Sequence, residues 1–450
     1  RNANVKEIDI EHIRSYISLC GKDVSKCYTK DDRISNFFKF KKDNPSILVL
    51  GVDKTSDIII LEKNKYHKKL GDLFENPEKF EKIENFNLQD QLKAYRQILT
   101  NSIEHCLGTT HKYMIQPVNS ISSLYGVVKC HKENWPLRPI STGYSSITAG
   151  SATYIKKVIE PLLKKCTFFV DSQKSFKKRF LIEKEKFDQN THEIACFDIK
   201  QMYPNINITE VVNYIIIEIF RNPKAYFTPE KDAKGYTLPI PTKAEFKEFL
   251  LSILKDFNLF TSQIGTFRQL KGLQMGSSLA PLISNIFIGC LERSVIKKLI
   301  KIGSVVSWTR YADDCLAIIK KGEYENILTA INSWDPDIKF TGEKMAENKL
   351  IFLSCTLFIE NSQIEFKTFR KAHLETVMSN YQHSIMSKRY LCSNITTQLN
   401  HSQNSSSNED LFHADLPNLK EILLRNKYPE YRSRVLRKLT TTYIGAQLTL

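Results

Sequence analysis

The chain has 450 residues, 42% of them hydrophobic, and its 65 Lys and Arg against 49 Asp and Glu give a formal charge of +16. The composition is that of an ordinary globular protein with enough apolar content for two or three subdomains, and the positive excess favours a polyanionic partner, nucleic acid foremost. No apolar run reaches membrane-spanning length, no signal peptide opens the chain, and the ten cysteines include no C-x-x-C pair, so the expectation is an intracellular protein with reduced core thiols, no disulfides and no zinc site.

Residues 1–45 are polar, with short apolar patches that predict helix, and carry no readable chemistry. They open on Arg rather than Met, so the numbering is expected to begin inside a longer protein. Two strands follow, Ser46 to Val52 running into Asp53-Lys54 and then Asp57 to Leu61, and helical spacing covers Tyr66 to Phe80 and Leu88 to Cys106. Ser123 to Lys132 and Trp135 to Ser141 read as a hairpin whose arms carry Lys129 and Arg138, with Pro136 and Pro139 confining the second arm to a sheet edge. A forked guanidinium and a point-charge ammonium suit a triphosphate; a solvated edge strand is the plainer alternative. A helix with a basic C-terminal half then spans Ser145 to Lys165, where Lys156-Lys157 and Lys164-Lys165 begin a series of basic clusters continued by Lys177-Lys178-Arg179 and Arg432 to Lys438.

The apolar run Ile194 to Phe197 ends on Asp198, with Tyr203 five residues further on. Helical spacing from Thr209 to Phe220, a Pro/Lys-rich insertion at Asn222 to Pro241 and an amphipathic helix from Lys243 to Phe257 come next. In the loop Gln269 to Pro281, Gly272 and Gly276 permit close backbone approach, and the small side chains around Ser277 leave room for a base pair or template strand; a plain entry loop to the apolar helix Leu282 to Glu292 is the alternative. Tyr311-Ala312-Asp313-Asp314 then lies between the apolar runs Val305 to Trp308 and Cys315 to Ile319, which reads as strand, tight turn, strand. Its tip holds adjacent carboxylates whose repulsion is best relieved by divalent cations. By itself an Asp-Asp turn is more often surface decoration, but Asp198 raises its standing, because two strands delivering Asp to one edge is what two-metal phosphoryl transfer requires. Beyond it lie a helix from Tyr324 to Trp334, a stretch from Ile338 to Lys344, and a hairpin formed by Lys349 to Cys355 with Ile364 to Lys371. Residues 372–450 are basic and helix-rich, interrupted by the polar run His401 to Asn408, expected to be a flexible loop.

In order and spacing these segments resemble a reverse transcriptase, and among reverse transcriptases those of Penelope-like retroelements, relatives of telomerase. The residues that carry this finer likeness are Val52-Asp53-Lys54 with Ile58 to Leu61 and Tyr66; Tyr125-Gly126 through Lys129 to Lys132 and on to Pro136-Leu137-Arg138-Pro139-Ile140-Ser141; Met275-Gly276-Ser277 with Leu279-Ala280-Pro281; Phe340-Thr341; Tyr381 to Lys388; and Asn426-Lys427-Tyr428-Pro429. The resemblance implies an α+β right-hand polymerase: an N-terminal region and fingers extension over 1–120, fingers over 121–190, a palm over 191–371 with fingers elements interleaved and an insertion near 222–241, and a thumb with C-terminal helices over 372–450. It implies that Asp198, Asp313 and Asp314, with the carbonyl of Ile199, bind two Mg²⁺, for which Mn²⁺ can substitute. It places Lys129 and Arg138 on the incoming triphosphate, Tyr203 as a steric gate, Gly276 and Ser277 beside template and nucleotide, and Tyr311, Phe352, Leu353 and Lys388 on primer or template. Lys344 and Lys349 are both candidates for the general acid that protonates pyrophosphate. The implied partners are an RNA template, a DNA primer or target, dNTPs and a structured element RNA, in the nucleus and without a membrane.

Ser278 and Ser354 depart from the Pro and Asp usual at their positions, and neither change removes a metal ligand. Tyr443-Ile444-Gly445 echoes half of a GIY-YIG nuclease signature and is read as coincidence. Other readings stand beside the primary one: a telomerase catalytic subunit, against which the missing telomerase RNA-binding domain counts; a group II-type reverse transcriptase; a viral RNA-dependent RNA polymerase, which shares the metal site; and a domesticated, catalytically silent RNA-binding scaffold.

Overall fold

The computed structural model describes residues 32–53, 58–130, 132–370, 379–382, 384 and 386–429. The N-terminal stretch to residue 31, Lys54, His131, Lys371, the basic run Arg432 to Lys438 and the Tyr443-Ile444-Gly445 echo lie outside the described residues.

Fourteen strands occur among the described residues: β1 (Ile47–Gly51), β2 (Ile58–Glu62), β3 (Phe80–Lys82), β4 (Ser122–Val128), β5 (Leu137–Ser141), β6 (His192–Lys200), β7 (Leu259–Ser262), β8 (Gly265–Gln269), β9 (Val305–Tyr311), β10 (Asp314–Lys320), β11 (Lys339–Lys344), β12 (Leu350–Phe352), β13 (Cys355–Glu360) and β14 (Gln363–Thr368). They form a β1-β2 ribbon, a five-stranded sheet ordered β3-β8-β7-β4-β5, a central four-stranded sheet ordered β11-β6-β10-β9, and a three-stranded sheet ordered β12-β13-β14. As its prolines require, β5 is an edge strand.

Side-chain alternation gives the central sheet two different faces. Ala195, Phe197, Cys315, Ala317 and Trp308 point into the main core, built with the helices Ile208–Phe220, Ala280–Leu291 and Tyr324–Asn332. Phe197 stacks there between Trp308 and Tyr324, at centroid distances of 5.3 and 5.6 Å. Ile194, Leu316 and Ile318 point the other way, into a second core where Phe176 and Phe180 of the helix Gln173–Glu183 meet Phe352 and Phe366 of the three-stranded sheet. Separate clusters hold the β4-β5 region and the C-terminal helices.

The structure departs from the sequence expectations in three places. Helix ends at Asp72 rather than Phe80, because Pro77 disfavours helical backbone at Asn76; Phe80 instead starts β3 and packs on Phe74 at 5.1 Å. The two arms expected to form a hairpin after Lys349 are not neighbours, since β13 lies between β12 and β14. The polar run at His401 is no flexible loop. It continues the helix Lys388–Asn404 and buries Ser402, Ser405 and Ser406 completely, with Ser402 Oγ donating to Asp415 Oδ2 at 2.5 Å and Ser407 Oγ to the Phe366 carbonyl at 3.1 Å. Buried hydroxyls are tolerated where they find a partner, as those of Ser402, Ser406 and Ser407 do here, so a serine run reads as solvent-exposed only until its acceptors are known.

Candidate active site

The β9-β10 hairpin turns in two residues, Ala312 and Asp313, between the paired Tyr311 and Asp314. Ala312 takes a left-handed conformation with φ 52°, which a side-chain-bearing residue holds only where its surroundings impose it. Asp314 stands directly opposite Asp198 on β6, and Asp198 directly opposite Thr341 on β11. Tyr311, Asp314, Asp198 and Thr341 therefore form one cross-strand row on one face of the sheet, at the end where the second core stops. Asp313 joins them through the turn, its carbonyl accepting from Ile199 N–H at 3.1 Å.

Directly opposed like charges destabilise a strand pair. A divalent cation cancels that cost, and Mg²⁺ needs only one or two carboxylates, because it keeps several waters and takes further oxygens from substrate phosphates. Among the described residues no three His, Cys, Asp or Glu side chains form a ready-made cage, so the donor set suits a hydrated, substrate-completed Mg²⁺ better than a structural metal. Asp198, Asp314 and Thr341, with Glu343, Phe352 and Leu353, line a cleft of about 240 Å³. Phe352 is buried and packs on Phe176 at 5.1 Å, whereas Leu353, with φ 53° at the β12-β13 turn, is the more accessible of the two.

Tyr203 follows β6 in a single helical turn, Met202–Asn205. Burial raises the pKa of its phenol, the negative charge of Asp313 adds to the rise, and a hydrogen bond with Ser284 opposes it. The loop after β8 closes over this turn: Leu273 N–H donates to the Tyr203 carbonyl at 2.8 Å, and a Cβ at Gly272 would stand 2.3 Å from the Pro204 carbonyl oxygen. Gly276, with φ 108°, would place a Cβ 1.9 Å from the Ser141 oxygen, and Ser141 N–H donates to the Met275 carbonyl at 2.7 Å. The close approach these glycines allow is thus to the end of β5 and to the helical turn after β6. Ser277 sits beside Gly143, whose added Cβ would lie 3.3 Å from its Cα.

Arg138 pairs across the strands with Val127, and Lys129 N–H bonds the Pro136 carbonyl, so both cationic side chains fall on the half-exposed face of the β4-β5 hairpin. Arg138 Nη2 lies 3.2 Å from Oδ2 of the buried Asp53. Its Nε is buried with no hydrogen-bond partner among the described residues. The two general-acid candidates fare differently. Lys344 is paired with Ala195, three register positions from Asp198, and its ammonium lies 5.5 Å over Tyr324 on the opposite sheet face, which removes it from the carboxylate row. Lys349 is exposed in the connection between β11 and β12, and Lys388 opens the helix Lys388–Asn404.

Sequence reasoning missed the residues beneath the hairpin. Arg310 is fully buried and donates to Glu292 Oε1 at 2.7 Å, Asn285 Oδ1 at 2.6 Å, the Asn285 carbonyl at 3.2 Å and the Ala312 carbonyl at 3.1 Å. The available signal was a lone cation in one apolar strand and a lone anion closing one apolar helix, each requiring a partner once buried.

An antiparallel sheet carrying paired carboxylates at one end of one face, with helices on its other face, is the α+β architecture of the right-hand polymerases. The family model described as reverse transcriptase (RNA-dependent DNA polymerase) matches residues 132–370, over half of the chain, and the chain belongs to that family. Two solved structures share the fold. Telomerase from Candida albicans, in complex with a TWJ fragment of telomeric RNA, is 12% identical with a TM-score of 0.52, over 85% of this chain and 61% of that one. Apo telomerase from Candida tropicalis is 11% identical with a TM-score of 0.51, over 86% of this chain and 66% of that one. The chain thus spans less than two thirds of either, and at these identities the likeness is one of fold. No curated protein sequence matches it.

Proposed function

We propose that the chain is the RNA-directed DNA polymerase of a Penelope-like retroelement, extending a primer 3′-hydroxyl on an RNA template. The observation that carries this is the opposed pair Asp198 and Asp314 at the end of the central sheet, lining a cleft, with Asp313 one residue away. These three carboxylates would hold two Mg²⁺, with Mn²⁺ as substitute and the Ile199 carbonyl as a further ligand. The bound pair would supply activation of the 3′-hydroxyl and neutralisation of charge on the leaving group.

The chain's own residues would do the positioning. Arg138 and Lys129, on the half-exposed face of the β4-β5 hairpin, would clamp the triphosphate. Tyr203, beside Asp313, would reject a 2′-hydroxyl. Tyr311 and Leu353 flank the primer side of the carboxylate row, with Phe352 anchoring the β12-β13 turn. Lys388 and the basic C-terminal helices would lie along the duplex backbone. Gly276 and Ser277 hold the template-side loop against β5. With Lys344 on the opposite face of the sheet, exposed Lys349 would be the general acid. In this assignment fingers run over 121–190 behind an N-terminal extension, the palm over 191–371 and the thumb from 372, and the expected site of action is the nucleus.

Primer extension on a short RNA template with Mg²⁺ tests the proposal, comparing dNTPs with NTPs and wild type with Asp314→Asn. Extension with dNTPs that vanishes in Asp314→Asn, and ribonucleotide use gained in Tyr203→Ala, are the expected results. Extension with NTPs alone would move the protein to the RNA polymerases, and RNA binding without any extension would favour the scaffold.

A further inference from the structure

Arg310 is the most completely enclosed charged residue near the carboxylate row. Its backbone is fixed on both sides: Arg310 N–H donates to the Phe168 carbonyl and its carbonyl accepts from Val170 N–H, both at 2.8 Å, while across the hairpin it pairs with Cys315. Parity sends the side chain to the helical face, beneath the sheet and away from Asp198 and Asp314. There Nε and Nη2 fork onto the two oxygens of Glu292, at 2.7 and 3.3 Å. Nη1 divides between Asn285 Oδ1 at 2.6 Å and the Ala312 carbonyl at 3.1 Å. The Phe169 ring closes one side, 5.4 Å from the guanidinium.

Two of these contacts are unusual for a merely structural ion pair. The Ala312 carbonyl belongs to the left-handed residue of the turn, the peptide that sets the direction of Asp313. Asn285 and Glu292 belong to the helix that begins directly after the Gly276-Ser277 loop, with Glu292 opening a π-turn, Glu292–Ile296. One buried cation thus joins the strained peptide of the carboxylate turn to the helix packed beneath the sheet. A left-handed Ala persists only where its surroundings fix it, and a charge-assisted bond to its carbonyl is a direct means of doing so.

We propose that Arg310 is a positioning residue that holds the Ala312-Asp313 turn in its left-handed form and so sets the spacing of Asp313 and Asp314 relative to Asp198. This rests on the metal-binding role proposed above for those carboxylates. Lysine at this position keeps a charge against Glu292 but cannot reach Glu292, Asn285 and the Ala312 carbonyl at once, because it is a point donor rather than a fork.

Arg310→Lys is the first variant, and Arg310→Met with Glu292→Gln is the second, since it removes both buried charges together and leaves neither unpaired. Melting temperature, Mn²⁺ binding to the protein alone by electron paramagnetic resonance, and primer extension across a Mg²⁺ titration are read for each, with Asp313→Asn as control. The expected result is a melting midpoint close to wild type in at least one variant, Mn²⁺ binding weakened several-fold in that variant, and a Mg²⁺ requirement raised with it. Wild-type Mn²⁺ binding and Mg²⁺ dependence in a folded variant would overturn the role of Arg310 alone. A wild type that binds Mn²⁺ no better than Asp313→Asn would overturn the metal-site assignment beneath it. Loss of folding in both variants would make Arg310 a core residue and also overturn the proposal.

Discussion

Two hairpins of the molecule, β9-β10 and β4-β5, are built on opposite plans. In β9-β10, the strand carrying Asp314 is bonded on both edges, to β6 and to β9, and the turn is tied down from below by Arg310. In β4-β5, the strand carrying Arg138 is a sheet edge, and its guanidinium is held by one carboxylate, Asp53. The anionic side of the site is therefore fixed by backbone pairing in a sheet interior. The cationic side is fixed by a single ion pair on an edge that can adjust. Groups that must hold a metal geometry gain from the first plan, and groups that must admit and release a charged ligand gain from the second.

Breaking the rigid hairpin's chemistry has the largest expected effect. Asp314→Asn is expected to reduce primer extension by about 10³-fold or more, the scale of losing a metal that supplies much of the charge stabilisation. The fold should survive, because the substitution removes one of two directly opposed like charges; in metal-free buffer the melting midpoint should be equal to or above that of wild type. A variant that unfolds would mean that Asp314 acts in packing and that the hairpin is not held by its backbone pairing.

Next comes the loop that joins the end of β5 to the turn after β6. Gly276 approaches Ser141, at the end of β5, so closely that any Cβ would overlap a backbone oxygen, and its φ of 108° already excludes ordinary side chains. Gly276→Ala should therefore cost about 2 kcal/mol or more, by strain and displaced backbone together, and lower the melting temperature by several degrees. It should also raise the KM for dNTP, since the loop can relax only by moving β5 and Arg138 with it. An unchanged KM with lowered stability would show that this loop does not position Arg138.

These expectations also mark what was legible in the sequence. The carboxylate strands could be read because each is an apolar run closed by Asp, and the edge position of β5 because proline removes the donor an inner strand needs. β13 was passed over because Thr356, Leu357 and Phe358 lack the alternation that marks a half-buried strand; both faces of this central strand are covered. The buried serines were misjudged because their partners, Asp415 and the Phe366 carbonyl, are remote in sequence. Glu292 and Arg310 are each visible as a lone charge. Their pairing, 18 residues apart, depends on the π-turn and on strand parity, which composition does not encode.

On the adjustable side, Arg138→Ala removes a cation whose charge-assisted bonds to phosphate are worth about 1.5–3 kcal/mol. That corresponds to about a 10- to 100-fold loss in kcat/KM for dNTP, carried mainly in KM if Arg138 binds the triphosphate equally in ground and transition states. A fall in kcat at constant KM would instead place it on the leaving pyrophosphate alone.

The smallest effect is expected from Asp53→Asn, and it separates holding from contact. Asp53 touches Arg138 at 3.2 Å and ties itself to β4 by donating its N–H to the Val128 carbonyl at 2.8 Å. Asparagine keeps that backbone bond and the side-chain shape but removes the charge that orients the guanidinium. If the pair serves only stability, its loss at a partly exposed arginine should cost little and leave dNTP binding alone. If Asp53 positions Arg138 for a ligand, KM for dNTP should rise a few-fold with the melting temperature nearly constant, and the double variant with Arg138→Ala should be no worse than Arg138→Ala by itself, since the carboxylate then has nothing left to orient. Additive losses in the double variant would mean that Asp53 acts elsewhere, and the adjustable hairpin would then owe its cation's direction to the strand alone.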